Sequence, residues 1–581
     1  MQALSVFIFS FLLSGVSSLQ PNIVVIMADD LGWNDVGFHG TDQIPTPNID
    51  ALAYSGVILN RHYTLPTCTP SRSAFMTGKY PIRTGMQGNP IKCGEPRGLP
   101  LEEILLPQRL QKAGYITRLV GKWHLGYHHS EYTPTKRGFH SHFGYFNGYI
   151  GYFDHKIDQG DFIGYDLHRD LNVSWIEHGK YATEIFTQEA VDLILSHDIS
   201  KPLFLQVAHL AVHSGRDSQL LEVPNVDEAH NKFKYIKDPQ RRLYAEMTSR
   251  LDESVGEIVT ALKDKGILNN SIIIFLSDNG AQTIGMHQNW GSNWPLRGLK
   301  FTPYEGAVRG VTALWSPLLK NPHRVSSHLM HIVDWYPTIY AMTGGDISDL
   351  GEIDGINQWS HLIDDSNSTT PRKDMLINIE EENTIEGIID GKWKLVLSTY
   401  NNGSYDNYFG EDGRGLPNPA YSIHMVLVSN VFKSLQSVQS NNINNINQMV
   451  NKIKQLRKEA TINCQETERK YSEGPYCSTY CLFDIENDPC EEKNIVLNYP
   501  IITEHLKNKL KTFRSLMVPE LNKPVSSAAN PKFYNNSWVS WLDEKYINQS
   551  KFYAVKFSVS EAITLKVCIS YFLFLLIFIY L

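Results

Sequence analysis

Two short apolar runs in this sequence end in hard oxygen donors. Pro21 to Ala28 (PNIVVIMA) leads into Asp29-Asp30, and Ser271 to Leu276 (SIIIFL) leads through Ser277 into Asp278-Asn279. Three carboxylates and an amide oxygen suit Ca²⁺ or Mg²⁺. Adjacent carboxylates repel, so a cation gives Asp29 and Asp30 a reason to stand side by side. Asp and Asn also serve ordinary turns, and neither pair alone defines a site. At one shared sheet edge they do, because ligands of open α/β sheets collect beyond the carboxyl ends of the strands. A second centre lies in Thr64 to Tyr80 (TLPTCTPSRSAFMTGKY), where Cys68 stands two residues before Pro70. Pro70 is favoured in the first turn of a helix that ends near Gly78. An oxyanion at such a helix N-terminus is stabilised by the exposed amides. Arg72, one turn on, can address the same point. On these grounds alone Cys68 is an activated thiolate or an unpaired cysteine.

The elements around these residues alternate. Helical patterns run from Asn48, as N-cap, to Gly56, over Leu101 to Lys112, over Thr183 to His197 and over Asp238 to Lys265. Between them Tyr115 to Val120 and Leu203 to Ala208 read as strands. Such alternation predicts an α/β domain with a largely parallel sheet. After about residue 345 the pattern changes. Gly387 to Ser398 is two apolar stretches around Asp390-Gly391, which predicts a hairpin turning at that dipeptide. The Asn-rich patch QSNNINNINQ, within residues 420 to 460, reads as a surface insertion. Residues 140 to 180 are rich in Tyr, Phe and Gly, and their rings either stack on a sugar or aryl ligand or fill core.

At 581 residues the chain exceeds one ordinary domain. A formal charge of −8 gives no reason to expect nucleic acid as a partner. Residues 1–18 read as a signal peptide, with apolar Val6 to Leu13 and small Val16-Ser17-Ser18 before the cleavage point. Asn-x-Ser/Thr triplets at Asn172, Asn269, Asn367, Asn402, Asn535 and Asn548 agree with export. Cys464, Cys477, Cys481 and Cys490 cluster near the C-terminus and Cys93 stands apart. In an oxidising lumen these are expected to pair, ahead of a zinc site at the cluster. Ile563 to Leu581 carries one charge, Lys566, and follows the small residues Ser558, Ser560 and Ala562. It reads as a lipid-anchor attachment signal or as a membrane helix.

Cys68-Thr69-Pro70-Ser71-Arg72, continued by Ser73 to Met76 and Thr77-Gly78, matches C-x-P-S-R-x-x-x-x-T-G, a signature of the sulfatase family. Gly121 to Gly126 (GKWHLG) matches that family's second signature. The chain resembles these enzymes over roughly residues 20 to 500. SDNGAQT, NWPLRGLK and CLFDIENDPCEEKNI are most similar to the arylsulfatase B branch. The resemblance implies an alkaline-phosphatase-like α/β fold, with a large mixed sheet flanked by helices and a smaller C-terminal domain with an antiparallel sheet. Residues 19–345 would carry the N-terminal part of the catalytic domain and residues 346–550 the C-terminal region. It implies that a formylglycine-generating enzyme converts Cys68 to formylglycine, which hydrates to a gem-diol. One oxygen attacks the sulfate sulfur, and loss of a proton from the other releases inorganic sulfate. Asp29, Asp30, Asp278, Asn279 and the hydrated Cys68 side chain would hold one Ca²⁺. Arg72 would hold that side chain, and Lys122 and Lys300 the sulfate oxygens. His124 would act as base in the second step and His213 would protonate the leaving oxygen. The implied substrate is a sulfate monoester on a sugar, such as N-acetylgalactosamine 4-sulfate, met at the cell surface, outside the cell or in the lysosome. A phosphate ester hydrolase of the same superfamily is the competing enzyme reading. An inactive, membrane-tethered binder of sulfated glycans would have lost part of the site, whereas every residue named here is present.

Overall fold

Asn22–Ala28 and Ser271–Ser277 pair in parallel over their full length, Asn22 opposite Ser271 and Ala28 opposite Ser277. In the computed structural model, which describes residues 20–364, 370–438, 445–464 and 476–547, these two strands are the centre of a ten-stranded sheet. Leu203–Ala208, Ile116–Lys122 and Ser141–Tyr145 continue it in parallel on one side. On the other side Thr312–Trp315 enters antiparallel, followed by Val57–Leu59 and Arg324–Ser326. The sheet is therefore mixed, with a parallel middle. Every residue of the first strand, of Leu203–Ala208 and of Ser271–Ser277 is buried, which is why these runs are apolar without alternation.

Two groups of helices pack together. Ala182–Leu195, Pro239–Asp264, Pro47–Ser55 and Asn430–Gln436 lie against one another, and Cys68–Thr77 packs with Leu106–Lys112 and Trp335–Met342. Some bounds differ from expectation for local reasons. The helix expected from Leu101 begins at Leu106, where Pro107 occupies the first turn, and Leu101 is exposed in the preceding turn. The first helix starts after Thr46 rather than Asn48, with no capping bond from the Thr46 side chain, and the Asn48 amide instead donates to Asp252 Oδ2 at 2.9 Å. The residues flanking the Asn-rich patch belong to the fold. The helix Asn430–Gln436 buries Val431 and Leu435 against the main domain, and most of the Asn-rich patch lies outside the described residues. Most rings of residues 140 to 180 are core: Phe143, Tyr145, Phe146, Tyr152 and Tyr165 are all buried.

Asp374–Glu380, Ile385–Asp390, Trp393–Ser398 and Cys481–Asp484 make a separate antiparallel sheet, covered by the helix Pro500–Ser515. Its predicted hairpin turns one residue later than Asp390-Gly391. Asp390 pairs with Trp393, and Gly391 takes the left-handed conformation (φ 60°) that the turn requires. Disulfides join Cys464 to Cys490 and Cys477 to Cys481, in place of the zinc alternative. Cys93 does not pair as expected but stays a buried thiol, because the four clustered sulfurs satisfy one another. No helix among the described residues is long and apolar enough to cross a membrane. The segments 1–18 and 563–581, with the expectations placed on them, lie outside those residues.

A buried ion triad fastens the small sheet to the large one. Lys394 Nζ lies 2.9 Å from Glu305 Oε1 and 2.8 Å from Glu491 Oε1, with all three side chains inaccessible to solvent. Removing one member of such a group strands the others without water or counter-charge. Lys394→Ala is expected to destabilise the protein by about 3 to 5 kcal/mol, read as a marked fall in Tm. A Tm within a degree or so of the parent would show that the junction does not depend on this lysine.

Candidate active site

The register of the parallel strands brings their carboxyl ends to one line. Ala28 lies beside Ser277, Met27 beside Ala208, and Ala208 beside Gly121. The next residues of each strand, Asp29-Asp30, Asp278-Asn279, the 209–213 turn and Lys122 to His124, therefore leave the sheet at the same edge. They interlace there. Asp278 N–H donates to Ala28 O, Asp29 N–H to Ala211 O, Val212 N–H to Asp29 O and Asp30 N–H to Asp278 Oδ1. Gly121 is obligatory in this weave, since a Cβ on it would stand 1.9 Å from Ala208 O and its φ is 92°. Asp30 and His124 both hold the left-handed backbone, at φ 56° and 58°, a cost borne at functional positions when the surroundings demand it.

Cys68 opens the helix Cys68–Thr77, which ends on left-handed Gly78. Arg72, four residues on, projects from the same face. Cys68 Sγ, standing where an oxidised side chain would carry its oxygen, is 3.3 Å from His124 Nδ1. His124 Nε2 lies 2.9 Å from Ile91 O, so it holds the ring proton and leaves Nδ1 as the acceptor facing Cys68. Burial, and next the Lys122 ammonium, push the His124 imidazole well below its ordinary pKa. Burial raises the Cys68 thiol despite Lys122 and Lys300 nearby, so the thiol itself is no ready nucleophile.

Three carboxylates and three cations meet here, all nearly or wholly without solvent exposure. Lys122 Nζ is 2.7 Å from Asp29 Oδ2, Lys300 Nζ is 2.7 Å from Asp30 Oδ1, and Arg72 Nη2 is 2.8 Å from Asp278 Oδ2. Arg72 also stands 3.6 Å from Asp29 Oδ1. His213 Nε2 lies 3.5 Å from Asp30 Oδ2, and its Nδ1 sits 2.6 Å from Ser214 O. Burial, followed by the charges of Lys300 and Lys122, holds His213 well below its ordinary pKa. Burial and the neighbouring Asp29 raise Asp278. Asn279 Nδ2 donates to Asp30 Oδ1 at 2.6 Å. The structure thus gathers all ten residues named from the sequence around one point.

The donor set fits a divalent cation. One oxygen each of Asp29, Asp30 and Asp278 lie within 4.8 Å of one another. Asp29 Oδ1 and Asn279 Oδ1 are buried without a hydrogen-bond partner, as is Tyr145 Oη. Orphaned oxygens facing a carboxylate triad are what a hard cation satisfies. Several further contributors carry no sequence signature. Asn289 Nδ2 ties Asp30 O to Val212 O at 3.0 and 3.1 Å. Tyr149 stacks on His213 with ring centroids 5.4 Å apart, and His287 closes on both rings. Gly148 lies against His124, where an added Cβ would come within 2.9 Å of Cε1.

A mixed α/β sheet with a buried carboxylate triad at its edge, beside a helix-borne Cys68 and two lysines, defines an alkaline-phosphatase-like ester hydrolase. Residues 21–345 match the profile of the Sulfatase family. The chain is 38% identical to Arylsulfatase J of Mus musculus over 531 residues, 90% of this chain and 81% of that protein. It is 33% identical to N-acetylgalactosamine-6-sulfatase of Homo sapiens, over 58% of this chain and 65% of that protein. Among solved structures it is similar to Ps i-CgsB in complex with k-i-k-neocarrahexaose. There the TM-score is 0.65 at 24% identity, over 89% of this chain and 97% of the other. A protein solved with its substrate D-glucosamine-2-N,6-O-disulfate shares the fold at a TM-score of 0.54 and 16% identity, over 86% of this chain and 98% of the other. The chain belongs to the sulfatase family and is a sulfuric ester hydrolase.

Gly148 gives a test of how finely His124 must be placed. Gly148→Ala has an ordinary backbone to occupy but drives a methyl group into the imidazole. A displacement of this kind is expected to cost about 10²-fold in kcat on a small aryl sulfate, with Tm little changed. Undiminished kcat in a folded variant would show that the ring tolerates the shift.

Proposed function

We propose that this sulfatase hydrolyses a sulfate monoester on an amino sugar, N-acetylgalactosamine 4-sulfate, using formylglycine made from Cys68 and one Ca²⁺ ion. The observation that supports it is the convergence of Cys68, Arg72, Lys122, His124, His213 and Lys300 on the buried set Asp29, Asp30, Asp278 and Asn279. The human relative named for N-acetylgalactosamine-6-sulfate points to the sugar, and the arylsulfatase B-like segments point to the 4-position.

Asp29, Asp30, Asp278, Asn279 and the oxidised Cys68 side chain would hold the calcium ion, which supplies charge to polarise the reacting oxygens. Hydrated formylglycine supplies a nucleophilic hydroxyl and a second hydroxyl that lets sulfate depart, which a serine lacks. The other roles belong to side chains already in place. Lys122 and Lys300 are the ammonium groups that would bind sulfate oxygens, compact charges suited to a non-planar anion. Arg72, held by Asp278, orients the Cys68 side chain. His124, with its proton fixed on Nε2 by Ile91 O, presents Nδ1 as the base toward residue 68. His213, with Nδ1 donating to Ser214 O, directs Nε2 into the site, where it would protonate the leaving sugar oxygen. A bound sulfate would offset Lys300 and Lys122, the charges that now disfavour its protonation.

Maturation by a formylglycine-generating enzyme places the chain in the secretory pathway, with cell surface, extracellular space or lysosome as its destination. The four described sequon asparagines, Asn172, Asn269, Asn402 and Asn535, are all exposed, as glycosylation in that pathway needs. The apolar tail would attach the enzyme to the membrane as a spanning helix or through a lipid.

Cys68→Ala is expected to abolish sulfate release in protein made by a secretory eukaryotic host, while Cys68→Ser stalls after at most one turnover. Full steady-state activity in either variant would end the formylglycine reading. Against a panel of sulfated sugars, kcat/KM for N-acetylgalactosamine 4-sulfate should exceed that for the 6-sulfate by about tenfold or more. The reverse order would assign the 6-position instead.

A further inference from the structure

Among the described residues, one other group of three carboxylates outside the active site gathers within ion-binding distance. Oxygens of Glu380, Glu382 and Glu520 lie within 4.8 Å of one another. Glu380 ends the strand Asp374–Glu380 and is 5% exposed, Glu382 is exposed in the turn that follows, and Glu520 sits on residues 517–526, a C-terminal strap beyond the helix Pro500–Ser515. No Lys or Arg among the described residues forms an ion pair with any of the three. The Arg97 guanidinium, 2.7 Å from Glu95 and 2.7 Å from Asn89 O, feels the charges of Glu520 and Glu382 without pairing with either. Three clustered carboxylates repel one another, and burial with the charge of Glu520 pushes Glu380 up to about 7.

A second observation points to a ligand. Gln87 and Asn378, 1% and 4% exposed, line the same cavity as Glu380, and the Oε1 of one and the Oδ1 of the other accept no hydrogen bond. Their amide nitrogens are already placed, Gln87 Nε2 on Val518 O and Asn378 Nδ2 on Gln87 O, so the oxygens are the ends left over. Asn522 also has a buried Oδ1 without a partner, while its Nδ2 lies 2.7 Å from Glu520 Oε2 and 3.4 Å from Glu382 Oε2. Carboxylates and amide oxygens of irregular arrangement suit Ca²⁺, which accepts flexible geometry, better than Mg²⁺.

We propose that Glu380, Glu382 and Glu520, with amide oxygens from Asn522, Gln87 and Asn378 in reach directly or through water, form a calcium site separate from the active site. The ion would clamp three segments: the end of a small-sheet strand, the loop of Gln87 and Asn89, and the C-terminal strap. Asn89 Nδ2 already donates to Glu382 Oε2 at 2.7 Å, and two residues on, Ile91 O holds the proton-bearing nitrogen of His124. The clamp therefore braces the loop that sets the His124 tautomer. The site is independent of which sugar sulfate the enzyme takes.

Full-length enzyme, Glu382→Gln and Glu520→Gln are compared for calcium content after dialysis at micromolar Ca²⁺, and for Tm with and without added Ca²⁺. Neither glutamate is in the core, so both variants should fold. Each is expected to hold one calcium ion fewer per chain than the parent and to lose a Ca²⁺-dependent rise in Tm that Mg²⁺ does not reproduce. Glu131→Gln, at an exposed carboxylate elsewhere, should keep both. Equal calcium content in parent and both variants overturns the proposal. So does a Tm rise that NaCl of equal ionic strength matches, since that is screening rather than coordination. Loss of aryl-sulfatase activity through Asp278→Ala bears on the active-site ion alone, and keeps the two sites distinguishable.

Discussion

Three carboxylates buried without solvent at one sheet edge are the constraint on which the rest of this structure depends. Burying an unpaired charge costs several kcal/mol, so Asp29, Asp30 and Asp278 can be there only with partners in place. Arg72, Lys122 and Lys300 meet that demand from three separate elements, a helix N-terminus, a strand end and a loop. The register of the parallel strands is what makes these origins converge. The left-handed Asp30 and His124 are the local cost of turning each chain sharply enough to bring its side chain back to the shared point. The same pairing leaves Asp29 Oδ1 and Asn279 Oδ1 open, so the site is charge-balanced yet retains oxygens for a cation.

Arg297 to Glu305 is one segment through which the smaller domain reaches this site. Lys300 sits on Asp30, and five residues later Glu305 sits on Lys394 of the antiparallel sheet. In the same stretch Arg297 Nε donates to Asp406 O, Gly298 N–H to Tyr408 O, and Tyr304 Oη to Asp406 Oδ2. Lys300 is thus positioned in part by the smaller domain, while its own N–H donates to Ala281 O just beyond the strand Ser271–Ser277. This accounts for a buried ion triad at the junction of two sheets, where apolar packing alone would leave the segment free to slide. Phe301, next to Lys300, stacks on Tyr400 of the second domain with centroids 5.0 Å apart and extends the same brace.

What the amino-acid sequence determined alone is whatever rests on local pattern. Uninterrupted apolar runs mark the buried parallel strands to within a residue or two of their observed ends, because a strand covered on both faces has no polar side to alternate. The Cys68 helix and its Gly78 stop are legible from Pro70 and the glycine, and the two signatures identify the family. Where a short-range feature competes, the local reading slips. Pro107 moves a helix start past Leu101, and Asp252 takes the Asn48 side chain that would have capped its own helix. Tertiary structure decided the rest. Asn289, Gly148, Tyr149 and His287 act singly, at no motif spacing, and matter only because Asp30, His124 and His213 come beside them. The pairing of Asp30 with Lys300 spans 270 residues, and the approach of Glu520 to Glu380 brings the C-terminal strap to a strand end. The energy of such contacts depends on distance in space, which no period of two or 3.6 residues encodes.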